Sequence, residues 1–300
     1  MADLHWGIDL GGTKIEGAVL ASADGPEPLC RIRIPTEAEG GYRHILSRIR
    51  HLVDRMQAEV RSGPERIGFG TPGVLDPASQ TLKNSSTLCY KDQPLKEDLE
   101  KLLGVPAVLA NDANCFALAE ARLGAGRGAE TVFGVILGTG VGGGVVVDGR
   151  VLYGCQGIAG EWGHNRLDPD GPECYCGRRG CVETFISGPA LERYYLERGG
   201  QERSLRDIAQ RHSRGSDPYA EATISRLVAY FGQAIATVIN ILDPHVVVLG
   251  GGVSNVDVLY TAGVEATARH VFNDRVETRI VRHALGDSAG VFGAAMLVAG

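Results

Sequence analysis

Short apolar runs that stop at glycine alternate along the chain with longer stretches of helical period, and this alternation lays out its elements. His5 to Leu10 and Lys14 to Leu20 predict two strands joined by Gly11-Gly12-Thr13. Ile45, Ile49, Leu52, Val53 and Met56 recur at helical spacing and predict a helix over 42–60. Arg66 to Gly70 predicts a strand ending in the turn Thr71-Pro72-Gly73. Val105 to Ala110 predicts another, running through Asn111-Asp112 into a helix from Ala113 to Leu123. The glycine-rich stretch 123–128 reads as a connector and places a domain boundary near it. Farther on, Tyr219 to Leu242 predicts a long apolar helix, broken by Asp243-Pro244. His245 to Leu249 then predicts a strand leading into Gly250-Gly251-Gly252, and Ser288 to Val298 a packed helix rich in Ala and Gly.

The second half opens like the first. An offset of 127 residues sets Gly7 on Gly134, Leu10 on Leu137, Gly11 on Gly138, Gly17 on Gly144 and Val19 on Val146. Both segments read strand, glycine turn, strand, and both finish in Asp-Gly (Asp24-Gly25, Asp148-Gly149). Two related α/β halves are the expectation.

Composition narrows the function classes. At 300 residues the chain is long enough for two domains with their own cores. A net charge of −6 argues against a broad nucleic-acid surface, because phosphate neutralisation needs clustered Lys and Arg. No apolar run approaches the roughly 20 residues that span a bilayer, and the first residues lack a signal-peptide pattern, so a cytoplasmic protein is expected. Of the 7 cysteines, Cys30, Cys89, Cys115 and Cys155 lie among apolar or small neighbours and are expected to be buried free thiols.

The remaining cysteines form a cluster. His164, Cys174, Cys176 and Cys181 give His-x9-Cys-x-Cys-x4-Cys, a closed tetrahedral donor set suited to structural Zn²⁺; an unmetallated Cys-rich loop is the alternative. Gly11-Gly12-Thr13-Lys14 offers N–H groups, a hydroxyl and an ammonium in one turn, with Asp9 placed to hold Mg²⁺ through water; a tight hairpin is the bland reading. Gly138-Thr139-Gly140-Val-Gly-Gly143 satisfies G-x-G-x-x-G, but a strand follows where a dinucleotide fold needs a helix. Gly250-Gly251-Gly252 suits either a flat approach to a nucleoside or a plain turn. Asp112 stands where a helix cap is common, and a helix N-terminus is expected to lower its pKa.

Asp9-Leu-Gly-Gly-Thr-Lys14, the second glycine loop, Gly160-Glu-Trp-Gly-His164 and Cys174-Tyr-Cys-Gly-Arg-Arg-Gly-Cys-Val-Glu183 together resemble the ROK family of sugar kinases and repressors. The likeness implies the ribonuclease H-like, actin/hexokinase/Hsp70 type of α/β fold, with two α/β domains around a central cleft. A small domain over 1–120 would be joined by the C-terminal helix 287–300, and a large domain would cover 121–286. The resemblance makes Asp112 the catalytic base. It assigns ATP to Asp9, Gly11, Gly12, Thr13, Lys14, Gly138, Thr139, Gly140, Gly250, Gly251 and Gly252. It assigns the sugar to Gly73, Asn84, Asn111, Asp112, Glu161, His164 and Glu183, with His164 also a zinc ligand.

ATP, Mg²⁺ and structural Zn²⁺ are the implied cofactors, a free hexose the substrate, and a homodimer the family habit; no nucleic-acid or membrane partner is expected. Glu161-Trp162-Gly-His164-Asn165 and Lys83-Asn84-Ser-Ser-Thr87 look most like fructokinases of the manno(fructo)kinase type. Kinases of N-acetylglucosamine or N-acetylmannosamine, glucokinases and a non-catalytic sugar-sensing or repressor-type protein are the other readings. Asp9 leaves no room for a preceding helix-turn-helix.

Overall fold

In the computed structural model, which describes residues 4–85 and 87–299, the chain builds two five-stranded sheets of identical strand order. The first comes from β1 (His5–Leu10), β2 (Lys14–Leu20), β3 (Pro28–Pro35), β4 (Ile67–Thr71) and β7 (Ala107–Asn111), ordered β3-β2-β1-β4-β7. Between its later strands lie α1 (Gly41–Val60), the small hairpin of β5 (Val74–Leu75) and β6 (Leu82–Lys83), and α2 (Leu95–Leu103). Then α3 (Asp112–Leu123) follows β7 directly. The second sheet takes β8 (Thr131–Leu137), β9 (Val141–Val147), β10 (Arg150–Val151), β11 (Val246–Gly250) and β12 (Arg279–Arg282), ordered β10-β9-β8-β11-β12. Each sheet starts with an antiparallel hairpin and then adds strands parallel to its first. The repeat offset therefore marks a duplicated topology, with β1 and β2 answered by β8 and β9.

The chain divides into two compact units. The first holds Met1–Gly128, Gly144–Ala159 and Ala284–Gly300; the second holds Ala129–Gly143 and Gly160–His283. In the first, the apolar stripe Ile45, Ile49, Leu52, Val53 and Met56 of α1 joins Ile15, Val19, Ile32 and Ile34 of the sheet in one buried core. The last helix, α9 (Ala289–Met296), approaches the sheet so closely that glycine is required beneath it. A Cβ at Gly7 would collide with the Ala295 backbone, and one at Gly68 with the Ala294 carbonyl. At the end of α3 the fully buried Glu120 accepts from the N–H groups of Ala125, Ala284 and Leu285 at 2.8–3.1 Å. Those bonds fix the chain where it re-enters this unit.

The second unit adds α4 (Glu183–Ile186), α5 (Gly188–Glu197), α6 (Leu205–Ser213), α7 (Pro218–Leu242) and α8 (Ala262–Ala268). The 25 residues of α7 meet the length and mean hydropathy of a bilayer span although polar residues interrupt its apolar run. Its inner face (Ile224, Leu227, Phe231, Ile235, Ile239) is buried in protein, which accounts for the apolar content as core.

Strand β3 was not foreseen, although Pro28–Pro35 alternates in burial because Cys30, Ile32 and Ile34 face the core shared with α1 while their neighbours point to the other face. Cys155 is a second correction: it is exposed in the Gly154–Gly157 turn rather than buried, and Cys89 is only part-buried. The end of the predicted helix 287–300 at Gly300, and Ser86 of the 83–87 motif, lie outside the described residues.

Candidate functional site

In the first unit the chemistry gathers at the C-terminal ends of parallel strands β1, β4 and β7, where open α/β sheets present their loops. The β1–β2 turn is a tight hairpin: Gly11 N–H donates to the Lys14 carbonyl at 3.0 Å, and Thr36 Oγ1 donates to the Gly11 carbonyl at 2.7 Å. Asp9 lies opposite Glu16 on one side and Gly70 on the other. Glycines form its cradle, since a Cβ at Gly70 would stand 3.0 Å from Asp9 Oδ1 and one at Gly290 2.9 Å from Oδ2. Burial pushes the Asp9 carboxyl up to about 7, with Asp112 and Glu16 adding to the rise and Lys14 and Arg33 opposing it. A bound cation beside it would reverse that balance.

Asn111, not Asp112, caps α3: its Oδ1 accepts from Asn114 N–H at 2.8 Å. Asp112 is the first helical residue, and its Oδ1 accepts from Ala113 N–H at 2.8 Å. That bond and the helix terminus act to lower its pKa, as expected from sequence, yet the net shift is upward. The residue keeps exposed surface, yet protein packed around its carboxyl removes more hydration than the N–H groups return.

Gly73 and the Asn84 turn lie side by side, because a Cβ at Gly73 would come within 2.6 Å of the Lys83 carbonyl and 2.9 Å of Ser85 Cα. Asn84 is exposed and takes the left-handed backbone at φ 54°. Thr87 closes the 83–87 motif but was assigned no role there: its Oγ1 would lie 3.0 Å from a Cβ on Gly12. Only the small side of a glycine turn lets that hydroxyl come so near.

In the second unit Gly138, Thr139 and Gly140 form the β8–β9 turn, so the G-x-G-x-x-G stretch continues as a hairpin, as its context required. Gly138 N–H donates to the Gly140 carbonyl at 2.9 Å, and Gly188 N–H to the Gly138 carbonyl at 2.8 Å. Glu183 Oε2 accepts from Val141 N–H at 2.9 Å and would crowd any Cβ on Gly140. Gly250 ends β11; Gly251 has φ 80°, and a Cβ there would collide with the Leu137 backbone. Gly252 opens the following short turn. The turn carrying Glu161 and His164 is held down by buried Trp162, whose Nε1 donates to the Gly142 carbonyl at 3.1 Å and whose ring meets Phe133 edge-on.

His164, Cys174, Cys176 and Cys181 converge, their donor atoms all within 4.8 Å of one another. Tetrahedral zinc with Zn–S near 2.3 Å and Zn–N near 2.05 Å requires S···S of about 3.8 Å and S···N of about 3.6 Å. Cys176 Sγ and Cys181 Sγ are 3.7 Å apart, and Cys174 Sγ lies 3.5 Å from His164 Nδ1. The donor set therefore fits Zn²⁺ in type, number and spacing. His164 Nε2, the nitrogen turned away from the sulfurs, is 3.0 Å from Tyr175 Oη. Tyr175, another residue the motif reading passed over, holds that nitrogen in a hydrogen bond and so orients the ring.

A sequence model of the ROK family matches residues 5–300. The N-acetyl-D-glucosamine kinase of Aliivibrio fischeri is 36% identical over 98% of this chain and 99% of its own length. Among solved structures, the ROK hexokinase from Thermus thermophilus superposes with a TM-score of 0.88 at 37% identity, covering 98% of this chain and 97% of that one. A ROK family glucokinase from Streptomyces griseus, solved with glucose and AMPPNP, gives 0.79 at 30% identity, covering 98% of each.

Proposed function

The chain belongs to the ROK family with its two-domain actin/hexokinase fold, and from that premise we propose that it is an ATP-dependent sugar kinase acting on N-acetylglucosamine. The observation that carries the kinase reading is Asp112, a carboxylate of raised proton affinity at the junction of β7 and α3. The preference for N-acetylglucosamine over the fructose favoured by the local motifs rests on relatives of that name at 34–37% identity over nearly their whole length.

Asp112 accepts the proton of the sugar hydroxyl as that oxygen bonds to the γ-phosphorus and the bond to the β–γ bridging oxygen breaks, giving ADP and a sugar phosphate. A raised pKa suits this task, since the acceptor keeps its proton once the phosphate has transferred. The transition state is loose, so positioning matters more than basicity. Asn111, whose Oδ1 is committed to the helix cap, turns the hydroxyl-bearing face toward its neighbour. Glu161 and Glu183 read other hydroxyls, and His164 Nε2 does so where the sugar displaces Tyr175 Oη from it. Backbone N–H groups of Gly11, Gly12, Gly138, Thr139 and Gly140 hold phosphate oxygens with Thr13 and Lys14, and Gly250, Gly251 and Gly252 border the adenosine. Asp9 would hold Mg²⁺, which when bound neutralises charge on the phosphates. Zn²⁺ on His164, Cys174, Cys176 and Cys181 would fix the loop that carries Glu183.

ADP release from MgATP is to be compared across N-acetylglucosamine, N-acetylmannosamine, glucose, mannose and fructose. Highest kcat/KM for N-acetylglucosamine is expected. Preference for fructose would return the assignment to the fructokinase reading, and no release with any sugar would end the kinase reading.

A further inference from the structure

Beside the cap of α3, within the first unit, is a cavity of about 360 Å³ that none of the phosphate or zinc residues lines. Its wall runs along β7, from Ala107 to Asn111, and is closed by Leu75, Tyr153 and Asn114 among others. Apolar side chains dominate it; its polar lining is the carboxamides of Gln80, Asn111 and Asn114 and Lys96, whose ammonium is paired with Glu100 at 2.8 Å.

Two independent features mark it as a place for a neutral amide. First, Asn114 is 2% exposed, lines the cavity, and its Oδ1 has no hydrogen-bond partner. A buried carbonyl left in that state costs free energy until a donor reaches it. Second, β7 is the last strand of its sheet. Ile67 N–H donates to the Pro106 carbonyl, and this phase of the parallel ladder turns the peptide groups of Val108 and Ala110 toward β4. The N–H and C=O of Leu109 therefore face outward, along the cavity wall. Ala107 N–H, which faces the same way, is taken by Glu100 at 3.1 Å. A planar amide bearing a short alkyl chain satisfies this wall: its N–H and C=O meet a carboxamide and an open strand edge, and its alkyl end meets Leu75 and Val108.

We propose that this cavity is the subsite for the acylamino group of the sugar substrate, with Asn114 the residue that selects for it. The inference rests on the N-acetylhexosamine reading above and adds to it a consequence of size. An acetyl group fills a small part of the space, so N-propanoyl and N-butanoyl sugars should be accepted too. Asn111, which lines the cavity and adjoins Asp112 in sequence, ties the subsite to the reacting hydroxyl.

The test uses the whole enzyme with MgATP and four acceptors: glucose and the N-acetyl, N-propanoyl and N-butanoyl derivatives of glucosamine. N-butanoylglucosamine should keep kcat/KM within about tenfold of N-acetylglucosamine. In Val108→Phe, which narrows the cavity, the ratio of N-butanoylglucosamine to glucose should fall at least tenfold. In Asn114→Leu, the ratio of N-acetylglucosamine to glucose should fall by a similar factor, chiefly through KM. Calorimetric binding of N-acetylglucosamine and N-butanoylglucosamine without nucleotide checks the same order if a variant turns over poorly. Phosphorylation of N-acetylglucosamine with rejection of N-butanoylglucosamine, or equal losses for all acceptors in both variants, would overturn the subsite while leaving the kinase intact. Absence of turnover with every sugar would overturn the kinase reading and the subsite with it.

Discussion

Replacing Asp9 by asparagine should make the ligand-free protein more stable, and the gain should grow with pH. Asp9 is part-buried beside a second carboxylate, and its pKa rises from an ordinary 3.8 to about 7. Below 3.8 the carboxyl is protonated in both folded and unfolded chains and contributes no penalty. As pH rises toward 7 the unfolded chain releases the proton while the folded one holds it, so stability falls across that window and levels off above 7. Linkage puts the penalty at about 1.7 kcal/mol at pH 5 and about 4 kcal/mol at pH 8.5. These are ceilings, because a carboxylate that keeps some hydration pays less. Asp9→Asn has nearly the same shape and no charge to desolvate. Thermal melts of wild type and variant, free of Mg²⁺ and nucleotide, should show the variant's advantage in midpoint growing by roughly 5 °C between the two pH values. MgATP should then raise the wild-type midpoint and leave that of the variant nearly unchanged, since the ligand stabilises only a chain that binds it. An advantage that stays constant with pH, or a variant less stable at pH 8.5, would refute the reasoning.

Other outcomes follow from single features. Glu120→Ala leaves three part-buried N–H groups without their carboxylate acceptor; at about 1 kcal/mol each, a loss of about 3 kcal/mol is expected in urea unfolding. Asp112→Asn should bind sugar with nearly normal affinity in calorimetry yet lose at least about 10²-fold in turnover. The upward shift of Asp112 places the acid limb of wild-type kcat/KM above the ordinary carboxylate range near 4, and the variant should lack that limb. Metal analysis of the purified protein should find one zinc per chain, and Cys181→Ser should release it to a chelator and lower the melting midpoint.

The glycine-punctuated strands were legible because β1, β2, β8 and β9 are buried nearly throughout, and a continuous apolar run stopped by glycine has few other meanings. Strand β3 was not, although its pattern Leu29-Cys-Arg-Ile-Arg-Ile34 alternates. Its polar members Arg31 and Arg33 turn to buried Glu16 on β2, at 2.6 and 2.7 Å, a pairing that sequence distance hides. The convergence of His164, Cys174, Cys176 and Cys181 was legible from their spacing. The pKa of Asp112 was not, because the local rule of helix termini gives the opposite sign and only three-dimensional crowding overturns it. Tyr175, Thr87 and Asn114 share one reason for being assigned no role: each gains its interest from one neighbour that folding supplies.

The two sheets show why a duplicated backbone yields two different loops. At the offset that sets Gly11 on Gly138, Asp9 falls on Ile136 and Lys14 on Val141. The first turn thus keeps an acid and an ammonium around its glycines, whereas the second keeps the backbone and loses both charges. What replaces them comes from elsewhere in the chain: Glu183 accepts from Val141 N–H, and its other oxygen lies 4.0 Å from Cys174 Sγ. The second turn is therefore bound to the metal-donor loop by one carboxylate. A metal held there would act on that turn through Glu183, although no zinc donor belongs to either strand. Topology was copied in this molecule, and the chemistry at each strand end was then set by different side chains.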